Sequence, residues 1–319
     1  LIATHLGTAF LFLLFMEAWH QTGSLSFIDF ASLRDLGQPT ALLFFALAVI
    51  GFGAKAGLFP LHSWLPDAHS AAPSHVSALM SGIMIKTSIY AFLRFMTFLP
   101  PLPWWCGLLV MALGLGGALF GIAMAVTQTD IKKSLAYSTV ENIGIIFLSI
   151  GIWLYCGSTG NEVSGRLALA AVLLHIWSHA LFKSLLFMGA GSIFHAGGTL
   201  EMSRLGGLMR RMPFTGALMI VGAAAVSALP PLNGFVSELP VYLSLIHAGQ
   251  TADGGQAFLF MLSAILLAMV GGMVVLTMTR LIGIVFAGSP RSRASENACL
   301  LYTSPSPRDR TRSRMPSSA

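Results

Sequence analysis

Three titratable residues recur at regular intervals in one long apolar stretch of the sequence. His175, His179 and Lys183 follow one another at steps of four residues. On an α-helix each step turns the side chain by about 40° and rises about 6 Å, so the three groups share one face and span about 12 Å. Histidine titrates near neutral pH and burial can bring lysine there, so the stripe predicts a path for protons. The alternative is a packing role, in which the histidines hydrogen-bond between helices.

Two further lysines, Lys55 and Lys86, lie inside apolar stretches that are predicted to form neighbouring antiparallel helices. An ionisable side chain in a hydrocarbon span costs about 2.5–3.5 kcal/mol on insertion scales, so each requires a reason. Two lysines held close together at low dielectric disfavour each other's protonation, which leaves one ready to exchange a proton. We expect both lysines to belong to the proton path. The alternative for Lys55 is that its ammonium group snorkels to the near interface.

Two carboxyl groups, Glu141 and Glu238, also fall within apolar stretches. A buried carboxylate needs a cation or hydrogen bonds, and Lys183 and Lys86 are the candidate cations. We place both glutamates in the proton path. For Glu141 a purely structural alternative is a buried hydrogen bond with Asn142 or with a serine of another helix.

A short histidine-rich loop raises the question of a metal site. His62, Asp67, His69 and His75 crowd this loop, but the histidines lie seven and six residues apart, which no helix or turn brings together. The three cysteines have no ligand spacing either. The sequence therefore predicts no metal and no bound cofactor.

The composition indicates which solvent surrounds these groups. Of the 319 residues 55% are hydrophobic and only 9% are charged, and the mean hydropathy is +0.78. So few charges cannot cover a soluble core of this size, which predicts that a lipid bilayer surrounds the chain. The net charge of +6 does not indicate a nucleic-acid partner, because residues 1–288 hold 12 basic and 10 acidic residues, and the remaining +4 lies in residues 289–319.

Apolar runs of about 20 residues predict an all-α, polytopic membrane helix bundle with eight segments. The first is incomplete, and the predicted ranges are 1–19, 40–59, 76–98, 104–127, 135–155, 167–195, 213–247 and 257–287. Glycines and prolines interrupt the second segment, and Pro230 and Pro231 interrupt the seventh. Two broken helices are typical of a transporter site at the middle of the membrane. The alternative is that glycine and proline are simply frequent in membrane helices.

The loops between these segments differ in charge. The loops 127–134 and 196–212 hold five of the basic residues, whereas the loops on the other side hold three. The excess of Lys and Arg predicts that these two loops lie in the cytoplasm, and alternation places 62–74 with them.

Both ends of the sequence carry features of their own. The chain begins with Leu and enters the first apolar run without a signal peptide, so we expect an internal piece of a longer protein. Residues 299–319 resemble the translation of sequencing-library adapter DNA, and we expect them to be non-biological. The membrane domain is then 1–298. A natural disordered basic tail is the alternative.

Four stretches of sequence carry a family resemblance. These are GAKAGLFPLHSWLPDAH (53–69), APSHVSALMSG (72–82), AYSTVENIG (136–144) and ALPPLNGFVSE (228–238). They resemble the antiporter-like membrane subunits of respiratory complex I, Mrp cation/proton antiporters and energy-converting NiFe hydrogenases. Within this superfamily the chain is most similar to the large membrane subunits of hydrogenase-4 and formate hydrogenlyase.

The resemblance implies a fold of two inverted repeats, each with a broken helix and a charged centre, and residues 1–298 cover part of it. By motif, Lys55 resembles the lysine of the first broken helix and Lys86 the lysine that follows it. Lys183 resembles the central lysine of the second half, and Glu238 the terminal charge on the second broken helix. The glutamate that pairs with the first lysine lies further upstream in the family, so Lys55 lacks that partner in this sequence. Glu141 favours the hydrogenase branch, and its role is open.

The resemblance also implies a function and partners. We expect translocation of protons, with Na⁺ as the alternative ion, by a subunit of a NiFe hydrogenase, formate hydrogenlyase or NADH:quinone oxidoreductase-like complex in the inner membrane of a prokaryote. The expected partners are other membrane subunits and a peripheral redox arm, since the chain offers no redox centre of its own. Two alternatives are a stand-alone cation/proton antiporter and a passive membrane scaffold for the complex.

Overall fold

The computed structural model describes residues 2–296 and 298. The regular secondary structure of these residues is helical. The predicted adapter-derived tail, 299–319, lies outside the described residues. The helices are α1 (Ile2–Thr22), α2 (Gln38–Ala56), α3 (Trp64–Ala71), α4 (Ser74–Leu79), α5 (Ile85–Met96), α6 (Trp104–Thr127), α7 (Ile131–Thr159), α8 (Glu162–Gly197), α9 (Pro213–Val226), α10 (Asn233–Thr251), α11 (Gly254–Phe286) and α12 (Arg293–Glu296).

Among the described residues, seven helical stretches are long and apolar enough to cross a membrane. They correspond to the predicted segments with bounds shifted by a few residues, and 104–127 is reproduced as Trp104–Thr127. The first segment is helical from Ile2, the first described residue, to Thr22. The predicted segment 213–247 is divided into α9 and α10.

Both predicted helix breaks are present. The first follows α2, which ends where Gly57 adopts a left-handed conformation with a φ of 77°. Only glycine takes this conformation at little cost, so the helix stops here and the chain turns into α3. The second break separates α9 from α10 and contains Pro230 and Pro231, neither of which can donate a main-chain hydrogen bond.

The two broken elements run in opposite directions. α2 starts at the end of the bundle where Gln38 donates a hydrogen bond to Pro101 O. α9 starts at the other end, where residues 198–212 meet the loop before α7 through the hydrogen bond from Met202 N to Thr129 O. This antiparallel relation is that of an inverted-repeat, antiporter-like fold.

The loops predicted to share one side of the membrane do meet at one end of the bundle, here called the basic end and formed by 57–73, 127–130 and 198–212. Ile131 N donates to Leu200 O, and the Lys132 ammonium group donates to Ala72 O over 2.7 Å. Lys132 is buried in this contact and joins the start of α7 to the residues before α4.

A single helix occupies the centre of the bundle. The buried hydrophobic side chains form two clusters, and α7 contributes to both. Leu135 and Leu148 belong to one cluster, and Ile143 and Phe147 belong to the other. α6 packs against α7 at van der Waals distance between main chains, because Gly107, Gly114 and Gly121 recur at seven-residue steps and face α7. The polar residues of α7 therefore lie in the middle of the protein, with α8 on the opposite side from α6.

Candidate functional site

The three residues of the α8 stripe all point into the bundle. His175, His179 and Lys183 are each at most 1% exposed. The rings of His175 and His179 are nearly parallel, with centroids 6.4 Å apart. The predicted stripe is therefore a buried one, but its members do not hydrogen-bond directly to one another.

Lys183 is held by α7. Its ammonium group donates to Leu135 O over 3.2 Å and also to the Ser138 hydroxyl. It interacts electrostatically with the Glu141 carboxyl, one turn further along α7. The lysine thus faces two acceptors and one carboxyl group inside the protein.

Lys86 follows a π-helical turn, Met80–Met84, which lies between α4 and α5. Its ammonium group bends back and donates to Ser81 O of that turn. The Ser81 hydroxyl lies 3.0 Å from the Thr139 hydroxyl of α7, and Thr139 donates to Leu135 O, which Lys183 also contacts. The two lysines are thereby linked through α7, and they interact electrostatically.

Lys55 does not join this arrangement. It is half-buried in the last turn of α2, and no hydrogen bond or ion pair connects it to any residue that the structure describes. The charge that acts on Lys86 is Lys183, so the predicted pairing of Lys55 with Lys86 is not seen. The role of Lys55 in the path stays a prediction.

Glu141 has a partner that the sequence offered as its structural alternative. The Asn142 amide donates to Glu141 Oε2 over 2.5 Å and to Ser138 O over 2.8 Å. Its oxygen lies 3.0 Å from His175 Nε2. Asn142 thus connects the carboxyl group to the α8 stripe, a link that sequence patterns did not indicate.

His175 also reaches the second break. Its Nδ1 atom lies 3.0 Å from the Ser237 hydroxyl of α10. One turn further along α8, the Ser178 hydroxyl donates to Asn233 O at the start of α10, over 3.0 Å. The stripe is therefore fastened to the first turn of the helix that follows the break.

Glu238 occupies the position after Ser237 and is half-buried. Its carboxyl group interacts electrostatically with that of Glu141. No hydrogen bond or ion pair joins it to the residues described. Glu238 therefore belongs to the same charged region, next to the break, without a fixed partner.

One histidine of this region was missed by sequence reasoning. His69 was grouped with the loop histidines, but on α3 it is fully buried and its ring is stacked on Phe187 of α8 at a centroid distance of 4.7 Å. It lies in the electrostatic field of Lys183 and Lys86. Like His179, it has two ring nitrogens without a hydrogen-bond partner in the described part of the chain. The sequence analysis treated this stretch as a loop, and in a loop the spacing of His62 and His69 does not indicate which residue is buried. The burial of His69 could be predicted only if 64–71 were first recognised as a helix.

Metal-binding geometry is a separate question. Within 2–296 and 298, no three His, Cys, Asp or Glu side chains come together in a way that could hold a metal ion. The three loop histidines are dispersed, with His62 against Phe120, His69 against Phe187 and His75 exposed.

Seven spans among the described residues, two broken elements in inverted order and a charged interior define a polytopic membrane protein of the antiporter-like class. The chain belongs to the family described as NADH:quinone oxidoreductase/Mrp antiporter, transmembrane, whose sequence profile matches residues 1–268. It is accordingly a multi-pass protein of the prokaryotic inner membrane.

Two relatives from Escherichia coli K12 resemble the chain over 297 residues, which is 92% of its length. It is 43% identical to hydrogenase-4 component B and 36% identical to formate hydrogenlyase subunit 3, and it covers 44% and 48% of them. Among solved structures, a chain of the archaeal membrane-bound sulfane sulfur reductase superposes with a TM-score of 0.80 at 27% identity, covering 93% of this chain and 48% of that one. The chain thus spans about half the length of the relatives that it matches.

Proposed function

We propose that the chain translocates protons across the membrane through the buried polar network of α7, α8 and the second broken helix. The observation that carries the proposal is the connection of Lys183, Glu141 and His175 through Ser138 and Asn142 in the interior of the bundle. Titratable groups so close together, next to an interrupted helix, can hold and pass on a proton.

The energetic cost of these groups supports a functional role. Lys86, Glu141 and Lys183 are all at most 7% exposed. At about 2.5–3.5 kcal/mol each on insertion scales, the three would cost roughly 8–10 kcal/mol, as much as the whole stability of many domains. Apolar side chains of similar size would fill the same space without that cost. A passive scaffold has no need of these groups.

The partners follow from the relatives. We infer that the chain works as a subunit of a hydrogenase-4 or formate hydrogenlyase type of complex, because those two proteins cover 92% of it. Other membrane subunits and a peripheral NiFe hydrogenase arm would then be its partners, and their redox chemistry would drive the transport. We propose that the transported ion is the proton. The assay must therefore distinguish proton transport from sodium transport.

The substitution Lys183→Met distinguishes a role of this residue in transport from a purely structural role. The change removes a buried charge, which relieves about 2.5–3.5 kcal/mol, and takes the donor away from the Ser138 hydroxyl, which costs about 1–3 kcal/mol. Leu135 O keeps its hydrogen bond from Thr139. We therefore expect a complex that assembles normally and loses at least tenfold in proton uptake. The measurement is quenching of a pH-sensitive dye by the intact complex in proteoliposomes, with and without a sodium ionophore.

The matched control is Lys133→Met, because Lys133 lies on the exposed side of α7, outside the network, and the variant should transport as the wild type does. If Lys183→Met fails to assemble, and the complex that survives transports at the normal rate, the stripe is structural and the proposal is wrong. Transport abolished by the sodium ionophore would instead identify sodium as the coupled ion.

The domain division rests on the sequence alone. We propose that 1–298 is the membrane domain and that 299–319 derives from adapter DNA. Amplifying the locus again from the source DNA tests this proposal, and recovery of codons for the 21-residue tail would refute it.

A further inference from the structure

Asn142 contacts three different groups, and these contacts fix the orientation of its amide. Its nitrogen is 2.8 Å from Ser138 O, a main-chain carbonyl that can only accept a hydrogen bond. The same nitrogen donates to Glu141 Oε2. A flipped amide would set oxygen against oxygen at Ser138, so the NH₂ group must face α7 and the oxygen must face His175.

The orientation of Asn142 decides where His175 carries its hydrogen. The Asn142 oxygen lies 3.0 Å from His175 Nε2 and can only accept, so Nε2 must donate. A neutral imidazole has a single N–H, which leaves Nδ1 bare. The Ser237 hydroxyl, 3.0 Å from Nδ1, must then donate to it.

Ser237 can serve both protonation states of His175. Its oxygen also lies 2.9 Å from Gly234 O, a second acceptor for the same hydroxyl hydrogen. When His175 is neutral, the hydroxyl points at Nδ1. When Nδ1 gains a proton, the ring donates to the Ser237 oxygen and the hydroxyl turns to Gly234 O. One rotation of a hydroxyl group therefore satisfies either state, with no change on the Asn142 side.

An amide does not relay protons in the way a hydroxyl or an imidazole does, since its nitrogen and its oxygen are not interchangeable as donor and acceptor. We propose that Asn142 is a positioning residue that locks His175 in the Nε2–H tautomer, so that His175 exchanges its proton only at Nδ1, through Ser237 at the second broken helix. Asn142 at the same time holds Glu141 and His175 in one hydrogen-bonded network, while the proton that His175 exchanges passes on its Ser237 side. This proposal rests on the proposed function and deepens it, because it assigns the atom of His175 at which one step of the transport takes place.

The tautomer can be observed directly. The full-length protein in its complex, labelled with ¹⁵N-histidine and embedded in membranes, gives solid-state NMR signals for each ring nitrogen, and the spectrum of His175→Gln assigns those of His175. We expect a protonated Nε2 and a bare Nδ1 in the wild type. A hydrogen on Nδ1 of the neutral ring would overturn the proposal, whatever the variants do.

Variants of Asn142 test whether the lock comes from this residue. Asn142→Leu keeps the volume but removes the acceptor, so the Nε2–H signal should be lost in favour of Nδ1–H donating to Ser237. Asn142→Asp keeps an oxygen acceptor and should retain the Nε2–H signal. An unchanged tautomer in Asn142→Leu would refute a role for Asn142.

Two serines of α10 provide a test of proton exchange at His175 Nδ1 and its control. Ser237 and Ser244 are both fully buried on α10, and each donates to the carbonyl three residues before it, but only Ser237 contacts His175. Ser237→Ala should slow proton uptake about tenfold, the effect of losing one hydrogen bond, while Ser244→Ala should not. Equal rates in the two variants would refute exchange at Nδ1. Normal transport by His175→Gln would instead refute the proposed path at this residue and leave the tautomer result standing.

Discussion

The close approach of α6 to α7 makes Gly121 a sensitive packing position next to the site. A Cβ atom at this position would lie 2.5 Å from Glu141 N and 2.9 Å from both Glu141 Cα and Tyr137 O. The shortest of these distances is 0.9 Å below the 3.4 Å at which ordinary van der Waals contact begins. All three atoms belong to the main chain, so no side-chain rotation can relieve the contact, and Gly121→Ala must push the two helices apart.

The size of the effect follows from that displacement. Overpacking of a well-packed interior by one methyl group costs about 1–3 kcal/mol, which lowers the folding equilibrium constant about 5- to 150-fold. α7 lies between α6 and α8, so the shift also moves Asn142 relative to His175. A displacement of about 1 Å in a reacting geometry costs up to about a hundredfold in rate. We therefore expect Gly121→Ala to lose both stability and transport.

The assay compares two alanine variants of the full-length protein. Gly271 lies within α11, and a Cβ atom added there would have no atom within 4 Å, so Gly271→Ala adds the same methyl group at a site with room for it. Both variants are unfolded in mixed micelles with increasing SDS. The free energy of unfolding should fall by about 1–3 kcal/mol in Gly121→Ala and should not fall in Gly271→Ala. Equal unfolding curves would show that the α6–α7 contact is not as tight as described, and the inferred position of α7 would have to be abandoned.

Two other residues give predictions for transport by the intact complex in proteoliposomes. Lys86→Ala should abolish proton uptake and leave assembly intact. The membrane span survives, but the ammonium group that donates to Ser81 O and interacts electrostatically with Lys183 is lost. Uptake at the wild-type rate would mean that Lys86 is not in the path. Glu238→Gln keeps the size and hydrogen-bonding capacity of the side chain but cannot release a proton, so we expect uptake to fall strongly, and less in Glu238→Asp. A Gln variant that transports at the wild-type rate would remove Glu238 and the second broken helix from the path.

Several features followed from the sequence because they depend on neighbouring residues alone. The spans follow from the length of apolar runs, and the common face of His175, His179 and Lys183 follows from helical periodicity. The second break follows from Pro230 and Pro231, which lack the donors that a helix needs. These statements concern single helices, for which the repeat of the backbone is fixed.

Contacts between helices were decided only by the tertiary structure. The sequence paired Lys86 with Lys55, but the structure links Lys86 to Lys183 through α7 and leaves Lys55 without a described partner. It placed His69 in a loop, whereas α3 brings its ring onto Phe187. Periodicity fixes which residues share a face, but not which neighbour that face meets. The neighbour is set by how closely two helices approach and at what rotation, and here the glycines of α6, which remove the side chains between two backbones, set the position of α7.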